Sequence, residues 1–122
     1  MSHLVEIITE VRDPVAIRAA CQRLTLPPPT HGTTQLFSAK ATGWAVQLRD
    51  WRYPIVCDTE NAKVHYDHFN GRWGDEARLH RFLQTYAIER TRIEARRQGH
   101  EMTEQSLPDG SVRLTIAVGG AA

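Results

Sequence analysis

Long apolar runs are missing from this 122-residue chain, none approaching the roughly 20 residues that a membrane-spanning helix requires. The opening MSHLVEIITEVRD puts Glu6 and Glu10 where a secretory leader needs apolar continuity. The mature protein is therefore expected to start at Met1 and to reside in the cytoplasm, with no membrane partner. Cysteine is scarce as well. Cys21 and Cys57 stand far apart in unlike surroundings, which excludes a disulfide framework and leaves two buried free thiols as the expectation. Neither sign of charge dominates, since 15 Lys and Arg face 14 Asp and Glu for a net charge of +1. Generic binding to nucleic acid or to an acidic surface announces itself as a basic excess, so nucleic acid is not an expected partner.

What is present reads as one ordinary domain. A chain of this length buries roughly two-thirds of the surface its unfolded form exposes, enough to fold without disulfides or a structural metal. The alternation from His3 to Val11 predicts a strand. Asp13 followed by Pro14 is an N-cap with proline at the first helical position, and Ile17, Ala20, Cys21 and Leu24 recur at helical spacing to about Leu24. Pro27, Pro28 and Pro29 forbid continuation and predict a short stiff connector.

From Thr33 to His68 the pattern changes to short β-prone pieces: Gln35 to Ala39, Trp44 to Leu48, Arg52 to Asp58, and Lys63 to Tyr66. Turns are expected at Lys40 to Gly43 and Thr59 to Ala62. Pro54 places the third piece at an edge or starts it near Ile55, because proline cannot donate to a ladder. Asn70-Gly71 and Gly74 break the chain. Asp75 then caps a longer helix, with Leu79, Phe82, Leu83, Tyr86, Ala87 and Ile93 as its apolar stripe and Gly99 as its stop after Gln98. A hairpin about Leu107 to Gly110 follows, its second strand alternating through Val112, Leu114, Ile116 and Val118. The order β-α-β-β-β-β-α-β-β, without internal repeat, predicts a single α+β domain over residues 1–118 with a frayed tail at 119–122. Its economical architecture is a mostly antiparallel sheet with two helices packed on one face.

Chemistry-bearing residues are less decisive. Among six histidines the densest group is His65, Asp67 and His68, with Cys57, Asp58 and His80 as possible neighbours. Zinc needs three or four ligands converging tetrahedrally, whereas His65 and His68 on a strand point to opposite faces. They are weak candidates, and no metal or cofactor is expected. Cys57 with His65 or His80 offers a thiol and a base, but a thiol inside a β-prone piece is buried and inert. Gly71-Arg72-Trp73-Gly74 before a helix could hold a phosphate on free backbone donors, except that the Asp75 carboxylate occupies the cap and repels an anion.

Aromatics are concentrated. Trp44, Trp51, Tyr53, Tyr66, Phe69 and Trp73 are six of the nine and fall within thirty residues, interleaved with Arg49, Arg52 and Arg72. Part of this set fills the core, and exposed rings beside arginine form a binding surface. The turn from Asn70 to Gly74 bends without contributing core volume and leads into a helix whose polar side carries Arg78 and Arg81. Trp73 and Arg72 are the expected anchors, with Trp51, Arg52, Arg78 and Arg81 around them.

Several segments resemble one family. They are Met-Ser-His with Glu10-Val11-Arg12-Asp13, Trp51-Arg52-Tyr53-Pro54, Val56-Cys57-Asp58, Tyr66 with Asn70-Gly71-Arg72-Trp73-Gly74, and Arg97-Gln98-Gly99-His100 with Asp109-Gly110-Ser111. Together they are similar to a small family of domains of unknown function that includes a conserved hypothetical plastid and cyanobacterial reading frame, with relatives in planctomycetes. The resemblance runs over nearly the whole chain and implies one domain of about this length. It carries no activity, cofactor or catalytic residue.

The reading that follows is a small cytoplasmic interaction module, an adaptor or accessory subunit with a protein partner and no complete catalytic constellation. A homodimer through the strand Val112 to Val118 is expected, because only Arg113 discourages pairing at that edge. One rival is a metal-dependent or thiol enzyme using Cys57, His65, His68 and His80. The other is a single-strand nucleic-acid binder, which would stack bases on the exposed rings.

Overall fold

The computed structural model describes residues 4–8 and 10–118, the first five by backbone alone. The element order is β1 (Leu4–Ile8), α1 (Pro14–Arg23), β2 (Thr30–Gln35), β3 (Lys40–Val46), β4 (Ile55–Asp58), β5 (Lys63–Asp67), α2 (Glu76–Arg97), β6 (Glu101–Ser106) and β7 (Val112–Ala117). This is an α+β protein in the order expected. The frayed tail at 119–122 lies outside the described residues, as do residues 3 and 9 of the expected first strand.

Capping chemistry sets the helices. The Asp13 carboxylate accepts from the Val15 N–H at 2.9 Å, with Pro14 beginning α1 where its missing N–H costs nothing. Asp75 does the same for α2 through the Ala77 N–H, also at 2.9 Å. At the far end of α2, Gly99 takes φ +75° and the His100 N–H reaches back to the Ala95 carbonyl at 2.8 Å, closing the helix as the glycine predicts. The buried side of α2 is Leu79, Phe82, Thr85, Tyr86, Ile88 and Ala95. Ala87, expected in that stripe, is exposed, and Thr85 takes an inward position because its hydroxyl satisfies itself on the Arg81 carbonyl at 2.8 Å.

Five strands form one antiparallel sheet in the order β1-β5-β4-β3-β2. Strand alternation sends Val46, Ile55, Cys57, Val64 and Tyr66 to one face, where Ala16, Ile17, Ala20 and Cys21 of α1 and Leu79, Phe82 and Tyr86 of α2 cover them. Both helices therefore lie on the same face. The other face holds a smaller cluster of Leu36, Ala41 and Val56 with Tyr53 against it. Strands β6 and β7 form a separate two-stranded sheet beside α2, so the tail hairpin does not join the main sheet.

That hairpin is fastened by charge. Glu104 on β6 receives both terminal nitrogens of Arg23, at 2.8 and 2.6 Å, and pairs with Arg92, while Glu89 meets Arg23 at 3.4 Å and Arg92 at 3.3 Å. Two carboxylates and two guanidiniums thus tie α1, α2 and β6 together.

Two strand boundaries differ from the sequence reading. The stretch Gln35 to Ala39, expected as a strand, is largely the turn between β2 and β3, with the Leu36 N–H donating to the Ala39 carbonyl at 2.8 Å. Lys40 to Gly43, expected as a turn, belongs to β3. The extended backbone after the prolines passes directly into β2, an edge strand whose polar residues suit its exposed position. There the Thr33 and Thr42 hydroxyls meet at 2.8 Å across the register. Pro54 does delay the next strand, which begins at Ile55.

Candidate functional site

The loop from His68 to Gly74 is built to turn tightly. Phe69, Asn70 and Gly71 all take positive φ, at 47°, 53° and 90°. The His68 carbonyl then accepts from both Gly71 N–H, at 3.0 Å, and Trp73 N–H, at 2.9 Å. Gly74 lets the loop close down on Trp51: a Cβ at position 74 would stand 2.3 Å from that indole. Trp51 is only 5% exposed, stacks on the His68 ring at 6.1 Å, and donates its Nε1–H to the Asp75 carbonyl at 3.1 Å. Next to it the Arg52 N–H donates to the Trp73 carbonyl at 2.8 Å, locking the segment 51–53 to the loop.

These constraints gather an aromatic cluster around Trp73. Phe69 stacks on it at 4.8 Å, Phe37 from the β2–β3 turn lies at 5.0 Å, and Tyr53 meets it edge-on at 5.5 Å. Two guanidiniums cover rings: Arg52 stands 5.1 Å from the Trp73 centroid and 5.7 Å from Tyr53, and Arg72 stands 5.1 Å from Phe69. Both arginines are exposed, and Phe37 is 52% exposed. Aromatic faces beside arginine suit an apolar or acidic contact on a partner, since each offers area with little flexibility to lose.

The six expected binding residues separate into three groups. The structure brings Arg52, Arg72 and Trp73 together, Arg72 by way of Phe69. Trp51 is a correction: it is core, and it can reach a partner only through the loop it supports. Arg78 and Arg81 are absent from the ring contacts and line a separate cavity with Arg49. Phe37 was missed, because it sits apart from the aromatic stretch in sequence and joins Trp73 only when the turn after β2 folds across. No local signal marks it.

The enzyme candidates do not form a centre. Cys57 lies fully buried on the helix-covered face, its thiol pushed up to about 12 first by burial and then by Cys21, itself raised to about 11. His65 sits in register with Val56, on the opposite face of the sheet. His68 turns toward Trp51 and Tyr66, with Nε2 3.1 Å from Glu76 Oε1. His80 is exposed on α2. Among the described residues no three His, Cys, Asp or Glu side chains converge to hold a metal ion, and no helix is long and apolar enough to cross a membrane.

No family model, curated protein or solved structure matches the chain.

Proposed function

We propose that the protein is a cytoplasmic interaction module, an adaptor or accessory subunit, and that its contact surface is the Trp73 cluster. The observation that carries this is the exposed Phe37 ring, set in a preformed group with Trp73, Tyr53 and Phe69 and flanked by Arg52 and Arg72. Tryptophan and arginine dominate interface energetics, and a rigid cluster loses little entropy when a partner covers it. The partner is a protein segment presenting apolar and acidic side chains. Two buried free thiols accord with a reducing compartment. Membership of the family that the sequence resembles is part of the same reading, and two of the segments that carry the resemblance, Trp51 to Pro54 and Asn70 to Gly74, are those that build the cluster.

Arg52→Ala and Arg72→Ala, each read by unfolding and by capture from the native host, test the proposal. Lost capture at unchanged stability supports it. Salt-sensitive binding to a single-stranded oligonucleotide that Arg72→Ala abolishes would replace it with the nucleic-acid reading. A stoichiometric metal ion in untagged protein would replace it with the enzyme reading.

A second reading concerns self-association. Strand β7 has only β6 beside it among the described residues, and Ile116 and Val118 are 44% and 69% exposed. Pairing of two β7 strands gives a closed two-fold dimer. Light scattering that shows only monomer at high concentration refutes it.

A further inference from the structure

A cavity of about 210 Å³ lies where the end of α1, the end of β3 and the start of α2 meet, and it shares no residue with the Trp73 cluster. Its lining is Leu24, Leu26, Leu48, Arg49, Arg78 and Arg81. The leucines arrive by local turns. Thr25 takes φ 58°, and the Leu26 N–H reaches back to the Cys21 carbonyl at 2.8 Å, which holds Leu24 and Leu26 at the end of α1. Leu48 is 2% exposed and forms part of the core beneath. Arg78 and Arg81 project from the first turns of α2, near its positive dipole end.

Three guanidiniums lining one cavity lack ion-pair partners among the described residues. Other helix arginines divide: Arg23 and Arg92 pair with Glu89 and Glu104, and Arg97 with Glu94, while Arg18, Arg90 and Arg96 also have no ion pair among the described residues but do not line this cavity. No described carboxylate forms an ion pair with Arg49, Arg78 or Arg81, and the cavity lining contains no acidic residue. Arg81 reaches only the neutral Gln84 Oε1, at 3.2 Å. Three guanidiniums over an apolar floor match a ligand with an anionic head and an apolar body, because arginine presents planar paired donors to a carboxylate. The volume is below the about 300 Å³ at which drug-sized sites begin, which restricts the body to roughly one branched side chain.

We propose that this cavity binds a carboxylate carried on a compact apolar body of leucine size. The chemistry has two sources, a free small acid and the C-terminal residue of another chain. A phosphate alone would leave the leucines uncovered, and a long acyl chain would not fit.

N-acetyl-leucine is the probe, titrated into the full chain and followed by backbone amide shifts. Saturable shifts at Leu26, Arg49 and Arg78 are expected, with N-acetyl-leucinamide binding at least about tenfold more weakly because the charged head is lost. Arg49→Gln/Arg81→Gln should weaken the acid by about tenfold or more while the unfolding curve stays in place, since both side chains are exposed. Equal binding of acid and amide, no saturable shift, or full affinity in the double variant would each overturn the proposal. A hexapeptide ending in leucine assigns the source within it: tighter binding than N-acetyl-leucine points to a chain terminus, and equal binding to a free acid.

Discussion

Gly74→Ala tests the packing that fixes the Trp73 loop. The added Cβ would meet Trp51 Cδ2, Cε2 and Cε3 at 2.3, 2.5 and 2.8 Å, all shorter than van der Waals contact. Position 74 is not among the left-handed residues, so backbone strain does not contribute and the clash acts alone. The indole has nowhere to retreat: it is 5% exposed, with Tyr66 at 5.9 Å and His68 at 6.1 Å. Overpacking of this kind costs about 1 to 3 kcal/mol. Displacing the ring also breaks its Nε1 bond to the Asp75 carbonyl, about 0.5 to 1.5 kcal/mol more. A loss of about 2 to 4 kcal/mol is expected, seen in urea unfolding as a lower midpoint at unchanged slope. A loss below about 0.5 kcal/mol, the range of an ordinary surface substitution, would refute the reasoning. Trp51→Phe, which opens space, should couple to Gly74→Ala by about 1 kcal/mol in a double-mutant cycle.

Tyr86→Phe should cost about 1 to 3 kcal/mol, because the Tyr86 hydroxyl accepts from the Arg12 and Asp13 N–H groups at 3.0 Å each; a neutral substitution would show those donors to be satisfied by water. The hydrogen bond from Arg23, its largest influence, holds the Glu104 carboxyl below its ordinary 4.5. A lowered acid stabilises fully above that value and loses its contribution as pH falls through the lowered one, so amide protection of β6 should be constant near neutrality and decline only in acid. Glu104→Gln should remove that dependence, and an unchanged acid decline in this variant would contradict the assignment. Raised to about 11 and about 12 within the core, Cys21 and Cys57 should resist a thiol reagent at neutral pH until the protein unfolds. Rapid labelling of folded protein would contradict their burial.

Much of the fold was legible because its signals are local. Asp13-Pro14, Asp75 and Gly99 each act on their own helix end through one or two hydrogen bonds, and Pro54 acts on its own strand. The misplaced β2 has the opposite cause. Thr30 to Thr34 form a strand through pairing with β3, and nothing in that polar stretch announces a partner ten residues on. The candidate site divides the same way. Arg72 and Trp73 were singled out because the Asn70 to Gly74 turn is marked by its glycines, and Arg52 because it interleaves with the aromatic stretch. Phe37 was not, since it is brought in by the meeting of elements distant in sequence. Trp51 was misread for a related reason: neighbouring tryptophans look alike in sequence, and only the closure of Gly74 on one ring makes Trp51 core and leaves Trp73 half-buried.

The central claim, that the Trp73 cluster is a contact surface, is tested most directly by a photo-crosslinking residue placed at Phe37 in living host cells. The control carries the same residue at Arg18, exposed on α1 and remote in sequence from the cluster. A discrete crosslinked protein at position 37, absent at position 18 and lost when Arg52→Ala and Arg72→Ala are added, is the expected result. The same crosslinks at both positions, or crosslinks at 37 that survive both arginine substitutions, would contradict it.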